Sequence, residues 1–369
     1  MPPRSQVNYR SGERIPPYAS GVTRNVSDDT LGQLIDEELD LDATTARGLT
    51  NHLPMALVAK AGLGATRDEL ERFSAKYRLR LVPTNDPTVR LTRVTWSGAV
   101  GHSDAYVDLT EYFTREIEEH GAAETLRGHL DDLVDGFAGA AFHGVIRLAY
   151  ALDVASPARI ATGLAYLAST AMSLGSLNDG AITSDDPEAL LLELAGEWEW
   201  QPDDSVGNIA TRMRLVADQP RFATVAASLS IDPTTFVRLS DAALRLYAST
   251  DDFTALHGVT GLEAISRLRP YVSDVERLDR STFQALAAAY LSIGAPDIWS
   301  TMQLSEMADQ RTLDESEVAT RAAFSDDEHV AKIVFTSRRL NAITSDPLYL
   351  AVAERAVLSD IAPGDPSGC

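Results

Sequence analysis

The side chains here best suited to building a reactive centre are histidines, of which the 369-residue chain has seven, against a single cysteine at its end. Four of the seven fall on apolar or small-residue faces of expected helices. His52 lies in LTNHLPMAL, with Leu49, Leu53 and Ala56 on its side, and so faces inward. His143 lies in GFAGAAFHGVIRLAY and shares a row with Gly136, Gly139, Ala140 and Gly144. His257, in FTALHGVTGL, sits among Gly258, Thr260 and Gly261, with Phe253 one turn before it. His329 opens DDEHVAKIVF, and at about 100° per residue it lies within about 60° of Lys332. Small residues beside an imidazole either let helices approach closely or leave a void that a metal or substrate can fill. Facing helices build metal sites from inward ligands of this kind, and imidazole suits iron, zinc, copper or nickel. The competing account is four core histidines, each satisfied by an ordinary hydrogen bond.

The other three histidines read differently. His120 precedes Gly121 at a helix end, where an imidazole meets the dipole favourably. His129, beside Asp131 and Asp132, reads as solvated on a polar face. His102 belongs to an HSD triplet that mimics the H-x-D of a two-His, one-carboxylate iron site. That site rides on a β-jelly roll, which this sequence cannot supply, so a solvated loop histidine is expected.

The elements that must carry these residues are helical almost throughout. A first short helix follows Ser27. A second, carrying Leu49, Leu53, Ala56 and Leu57, stops near the glycines at 62–64, and Thr66 with Glu69 caps the next. Residues 81–107 hold the only strand-like alternation. LTEYFTREIEEHG, a long apolar stretch broken near Gly136, and SPARIATGLAYLAST follow. The second half continues with DPEALLLELAGEW, GNIATRMRLVADQ, TTFVRLSDAALRLYAS, DDFTALHGVTGLEAISRL, TFQALAAAYLSI, the DDEHVAKIVF helix and DPLYLAVAERAVL. At the start of DDEHVAKIVF, Ser325 and Glu328 form an S-x-x-E capping pattern. The expected architecture is all-α: one large domain of stacked antiparallel helices over residues 26–358, with a metal site in its core, a flexible arm at 1–25 and a flexible tail at 359–369. A two-domain split near 180–205 is the alternative.

Composition narrows the function classes. A hydrophobic content of 44% fits a globular protein, and a net charge of −22 opposes nucleic acid and anionic membranes alike. There is no signal-peptide stretch at the N-terminus and no run of about 18 apolar residues, so a cytoplasmic protein is expected. Cys369 ends a Pro/Gly/Ser tail, which leaves no disulfide framework and no Cys-ligated metal. A GxGxxG, a phosphate loop, a GxSxG elbow and an HExxH pair are all absent, so phosphoryl transfer, serine hydrolysis and Rossmann-bound cofactors lack their essential groups.

Four blocks, in order, resemble the questin oxidase-like family. TNHLPMALVAKAGLGATRDELERFSAKY is similar to its N-terminal signature, GFAGAAFHGVIRLAYAL to its Gly-x-x-His segment, LHGVTGLEAISRLRPYV to its His-x-Val-Thr-Gly segment, and DDEHVAKIVF to its His-x-x-Lys segment. The resemblance spans residues 45 to about 355. It implies a helical, non-haem Fe(II) oxygenase with O2 as co-substrate, acting on anthraquinones and related aromatic polyketides by ring C–C cleavage or oxygen insertion. It also implies iron ligands at His52, His143, His257 and His329, with Lys332 carboxylated on its ε-nitrogen by CO2.

A reason for lysine follows from charge. Four neutral imidazoles around Fe(II) leave two positive charges in a dry core, and a carbamate removes one. Burial beside a cation favours the free amine that captures CO2, whereas arginine stays protonated. On this reading Arg147, one turn after His143, holds a phenolate or carboxylate of the substrate or pairs with an acid. Trp96, Phe142, Tyr150 and Phe253 are candidate walls, and Tyr150 with Arg147 makes up the candidate catalytic pair. A monooxygenase would need electrons from NADPH through a partner; a dioxygenase avoids that need. The partner is a small aromatic molecule. The rivals are a zinc hydrolase or lyase on the same ligands and a non-catalytic helical binding protein. The preponderance of arginine over lysine suggests a GC-rich genome, in keeping with a natural-product pathway.

Overall fold

The computed structural model describes residues 25–198 and 206–360, and most of the expected arm and of the expected tail lie outside them. It is 68% helical, with 17 α-helices and one two-stranded sheet among the described residues. The first seven helices are α1 (Asp28–Asp36), α2 (Leu53–Gly62), α3 (Arg67–Arg78), α4 (Tyr106–His120), α5 (Ala122–Leu133), α6 (His143–Val154) and α7 (Pro157–Ser169). Then come α8 (Pro187–Glu197), α9 (Ile209–Ala217), α10 (Val225–Ser228), α11 (Thr235–Thr250), α12 (Phe253–Leu268) and α13 (Val275–Ser292). The last four are α14 (Thr301–Asp309), α15 (Glu315–Phe324), α16 (Glu328–Thr344) and α17 (Pro347–Ser359). Buried side chains from Val26 to Val357 form one connected apolar cluster.

Local chemistry sets most boundaries. Thr66 and Glu69 close a capping box on α3, and Gly121, at φ 81°, ends α4. Helices α14 and α15 do not stand out in the apolar pattern, because both are short and mostly polar. Their caps are local signals: Ser300 with Gln303 forms a box, and Asp314 accepts from Glu317 N–H. The strand-like stretch pairs only over β2 (Leu81–Pro83), antiparallel to β1 (Leu41–Thr45), which the alternation does not reveal. Residues 84–95 stay irregular.

Helix α2 begins at Leu53, not near Leu49. Asn51 causes the difference: its Oδ1 accepts from Leu53 N–H at 3.0 Å and its Nδ2 donates to Asp42 O at 3.1 Å, which holds a turn before the helix. The long apolar stretch breaks after α5, and Ala140, Ala141 and Phe142 follow with φ of 47°, 53° and 67°. Three consecutive left-handed residues cost on the order of 1 kcal/mol each and persist only where packing over-determines them. Here it does. A Cβ on Gly139 would lie 2.0 Å from Thr170 O, one on Gly144 2.9 Å from Leu167 Cα, and one on Gly261 2.7 Å from Phe142. The small residues beside His143 therefore serve close approach to α7 and α12, not a void.

His129 is buried, which corrects the solvated reading. Its Nδ1–H donates to Thr125 O at 2.8 Å, its Nε2 meets Tyr112 Oη at 2.9 Å, and Trp96 and Phe113 crowd its ring edge-on. Of the adjacent aspartates, Asp131 accepts from Ser273 N–H and Asp132 is exposed. Trp96 is thereby committed to the α4–α5 hairpin and is not a wall of the histidine site. His102 is exposed, and His120 is the last residue of α4.

Candidate metal centre

Helices α2, α6, α12 and α16 pack in a closed ring, α2 on α6, α6 on α12, α12 on α16 and α16 on α2. Each brings one histidine to the middle. His52 is the N-cap of α2, His143 the first residue of α6, His329 the second of α16, and His257 stands one turn into α12. His52 Nε2 lies 2.7 Å from His143 Nε2, which lies 3.1 Å from His257 Nε2. One ring nitrogen each from His52, His143 and His329 falls within a common 4.8 Å. The ring of His329 stands edge-on to those of His52, at 4.7 Å, and His257, at 5.5 Å. All four are buried.

The outer nitrogens fix the tautomers. His143 Nδ1–H donates to Ala140 O at 2.5 Å and His257 Nδ1–H to Phe253 O at 2.7 Å. His52 Nδ1–H donates to Glu328 Oε1 at 3.2 Å and His329 Nδ1–H to Asp327 Oδ1 at 3.0 Å. Each Nε2 is then a bare lone pair, and three of them converge without a proton between them. His329 Nε2 is buried with no hydrogen-bond partner. Lone pairs held this close repel unless a cation lies among them, and imidazoles oriented from behind by carbonyls and carboxylates are what a transition-metal ion asks for. The donor set therefore fits a divalent metal.

Electrostatics agree. Burial is the largest cause of a lowered pKa at all four histidines; it is reinforced at His52 and His329 by Lys332, at His143 by His52, and at His257 by His143. Three of the four also stand at helix N-termini, whose dipoles oppose imidazolium. Burial lowers His129 as well. A histidine that stays neutral in the fold but protonates when unfolded contributes stability above its unfolded pKa, near 6.5, and loses it as pH falls below that. The metal-free protein should accordingly lose about 1.4 kcal/mol per pH unit for each such histidine below about pH 6.5. Denaturant melts at pH 7.5, 6.5 and 5.5 check this, and a flat profile would refute it.

Lys332, one turn after His329, is 1% exposed, and its charge acts on all four imidazoles. The cap of α16 shifts from expectation: Asp327 accepts from His329 N–H at 2.8 Å, while Ser325 accepts from Asp327 N–H. This frees Glu328 to accept from His52. In the sequence Glu328 reads as a capping residue, and the adjacency of Asp327 and Glu328 to His329 is the available signal for a role behind the ligands.

Phe253 stands edge-on to His257 and His329, 4.6 Å from each, and Phe142 packs on Gly261. Arg147 has no ion pair among the described residues. Its Nη1 donates to Asn51 O at 3.0 Å and its guanidinium lies 5.5 Å from the Tyr166 ring centre, so it braces the turn carrying His52. Tyr150 points to Phe335 and Thr336, next to a buried ion cluster in which Arg267 and Arg339 share Asp153 and Arg339 also reaches Glu263. Burial and the Glu263 carboxylate push its phenol pKa well up.

No helix among the described residues is long and apolar enough to cross a membrane. Comparison with curated proteins finds no match. The sequence pattern of the questin oxidase-like family matches residues 49–336, a span that holds all four histidines and Lys332. With most of its length inside that match, the chain belongs to the questin oxidase-like family, which makes it an oxidoreductase of aromatic polyketide metabolism.

Proposed function

We propose that the chain is a non-haem Fe(II) oxygenase, acting as a dioxygenase on an anthraquinone-like aromatic polyketide, with His52, His143, His257, His329 and a carboxylated Lys332 as metal ligands. The observation that carries this reading is the convergence of unprotonated Nε2 atoms whose outer N–H groups are all engaged by oxygen acceptors. Bound iron would supply activation of O2. The chain's residues do the rest. Asp327 and Glu328 hold two imidazoles in the ligating tautomer and offset the metal's charge from behind. Buried Phe142 and the edge of Phe253 keep water from the centre, and Arg147 keeps His52 in place through Asn51. Iron, in preference to zinc, follows from the family's oxidative chemistry.

The experiment is anaerobic purification, elemental analysis, then O2 uptake with a panel of anthraquinones. About one iron per chain and substrate-dependent O2 consumption are expected. Stoichiometric zinc without O2 uptake would favour a hydrolase or lyase, and no metal after iron is supplied would leave only a binding protein. Glu328→Ala should weaken the metal roughly 10- to 100-fold in a chelator competition while leaving the helical content unchanged.

A further inference from the structure

A second concentration of buried charge lies behind the His52 turn. Arg147 is 4% exposed, and no carboxylate pairs with it among the described residues. Arg159, on α7, is 3% exposed. Its Nε donates to Asp36 Oδ1 at 3.2 Å, but its Nη2 is buried without an acceptor. Asp36 itself is nearly half exposed, so water screens much of its charge. Arg159 therefore has two carboxylates acting on it, the partly solvated Asp36 and the buried Glu38, whereas no carboxylate pairs with Arg147 among the described residues, and neither arginine can shed its proton readily. Burial, then repulsion from Arg147, holds the Arg159 pKa down to about 10. Both arginines line one small cavity together with Tyr150 and Thr162, the rest of its wall being mainly aliphatic. It offers ≈ 10 Å³ to the centre of a water-sized atom, room for about one.

An uncompensated buried cation costs several kcal/mol, and a water molecule in such a cavity brings no charge to offset it. We propose that the Arg147–Arg159 cavity is an anion subsite that takes one small monoanionic group, held by the two guanidiniums. A free ion or the ionised oxygen of a larger molecule supplies the same chemistry. Because Arg147 also holds Asn51 O, and Pro54 lines the cavity, an occupant bears on the turn that presents His52. The subsite stands without the metal and is testable without it.

The test is the thermal midpoint of chelator-treated full-length protein in sodium chloride and in sodium formate. The reference is sodium gluconate, too large to enter, at equal ionic strength. Chelation removes binding of formate to a metal as an explanation. A saturable rise of about 3 °C or more is expected in wild type and is expected to vanish in Arg147→Met. A response to formate alone assigns an oxyanion group, and a response to both assigns charge as sufficient. Equal rises in wild type and variant, or no rise with either salt, overturn the proposal. Should Arg147→Met not fold, Arg159→Met is read in the same way, and anomalous diffraction from a bromide-soaked crystal looks for the anion directly. A cavity empty of bromide, with no formate response, overturns it equally.

Discussion

Substituting His143 by alanine is expected to reduce bound metal from about one ion per chain to near zero. His143 is the hub: its Nε2 lies 2.7 Å from that of His52 and 3.1 Å from that of His257, so its removal opens both contacts at once. Losing a single ligand from a buried set also leaves the remaining imidazoles without a cation to hold them together. The fold should survive, because His143 touches the backbone through one bond to Ala140 O, and α6 stays packed on α7. Elemental analysis beside circular dichroism checks both halves. A folded His143→Ala protein that keeps its metal would show that the four histidines are core residues and that the ion sits elsewhere.

The second large effect concerns Lys332. Lys332→Arg keeps length and charge but cannot form a carbamate, and it fixes a cation beside the metal. A unit positive charge about 4 Å from a divalent ion, at an effective dielectric of about 20, is repelled by about 8 kcal/mol, enough to reduce metal affinity by well over about a thousandfold. Lys332→Glu returns negative charge and should recover part of that loss. Protein exchanged into ¹³C-bicarbonate should show one carbamate carbonyl resonance in wild type and none in Lys332→Arg. If Lys332→Arg binds metal like wild type, or no label enters the native protein, Lys332 is a buried lysine with a structural role.

Several features are legible from residue types and local spacing. The helical class follows from apolar periodicity sustained through nearly every segment, and the inward set of His52, His143, His257 and His329 from the apolar or small neighbours of each. The caps of α3, α14 and α15 need only residues three apart, so they too are written locally. The presence of lysine in an arginine-rich chain marks position 332 as unusual without any knowledge of its burial.

What local pattern cannot decide is whatever depends on a partner far along the chain. Glu328 and His52 are 276 residues apart, and a capping motif seen from one side gives no hint that this carboxylate turns to an imidazole instead. Whether the glycines near His143 bound a void or a contact depends on where α7 passes, and Thr170 O and Leu167 fill that space. His129 reads as solvated because its sequence neighbours are acidic, yet the rings that bury it include Trp96, brought in from outside its own helix. The buried pairing of Asp153 with Arg267 and Arg339 likewise joins α6, α12 and α16 across long separations. Amphipathic periodicity tells a helix which face to bury, and only the packing of one helix on another tells a buried polar group what it will meet.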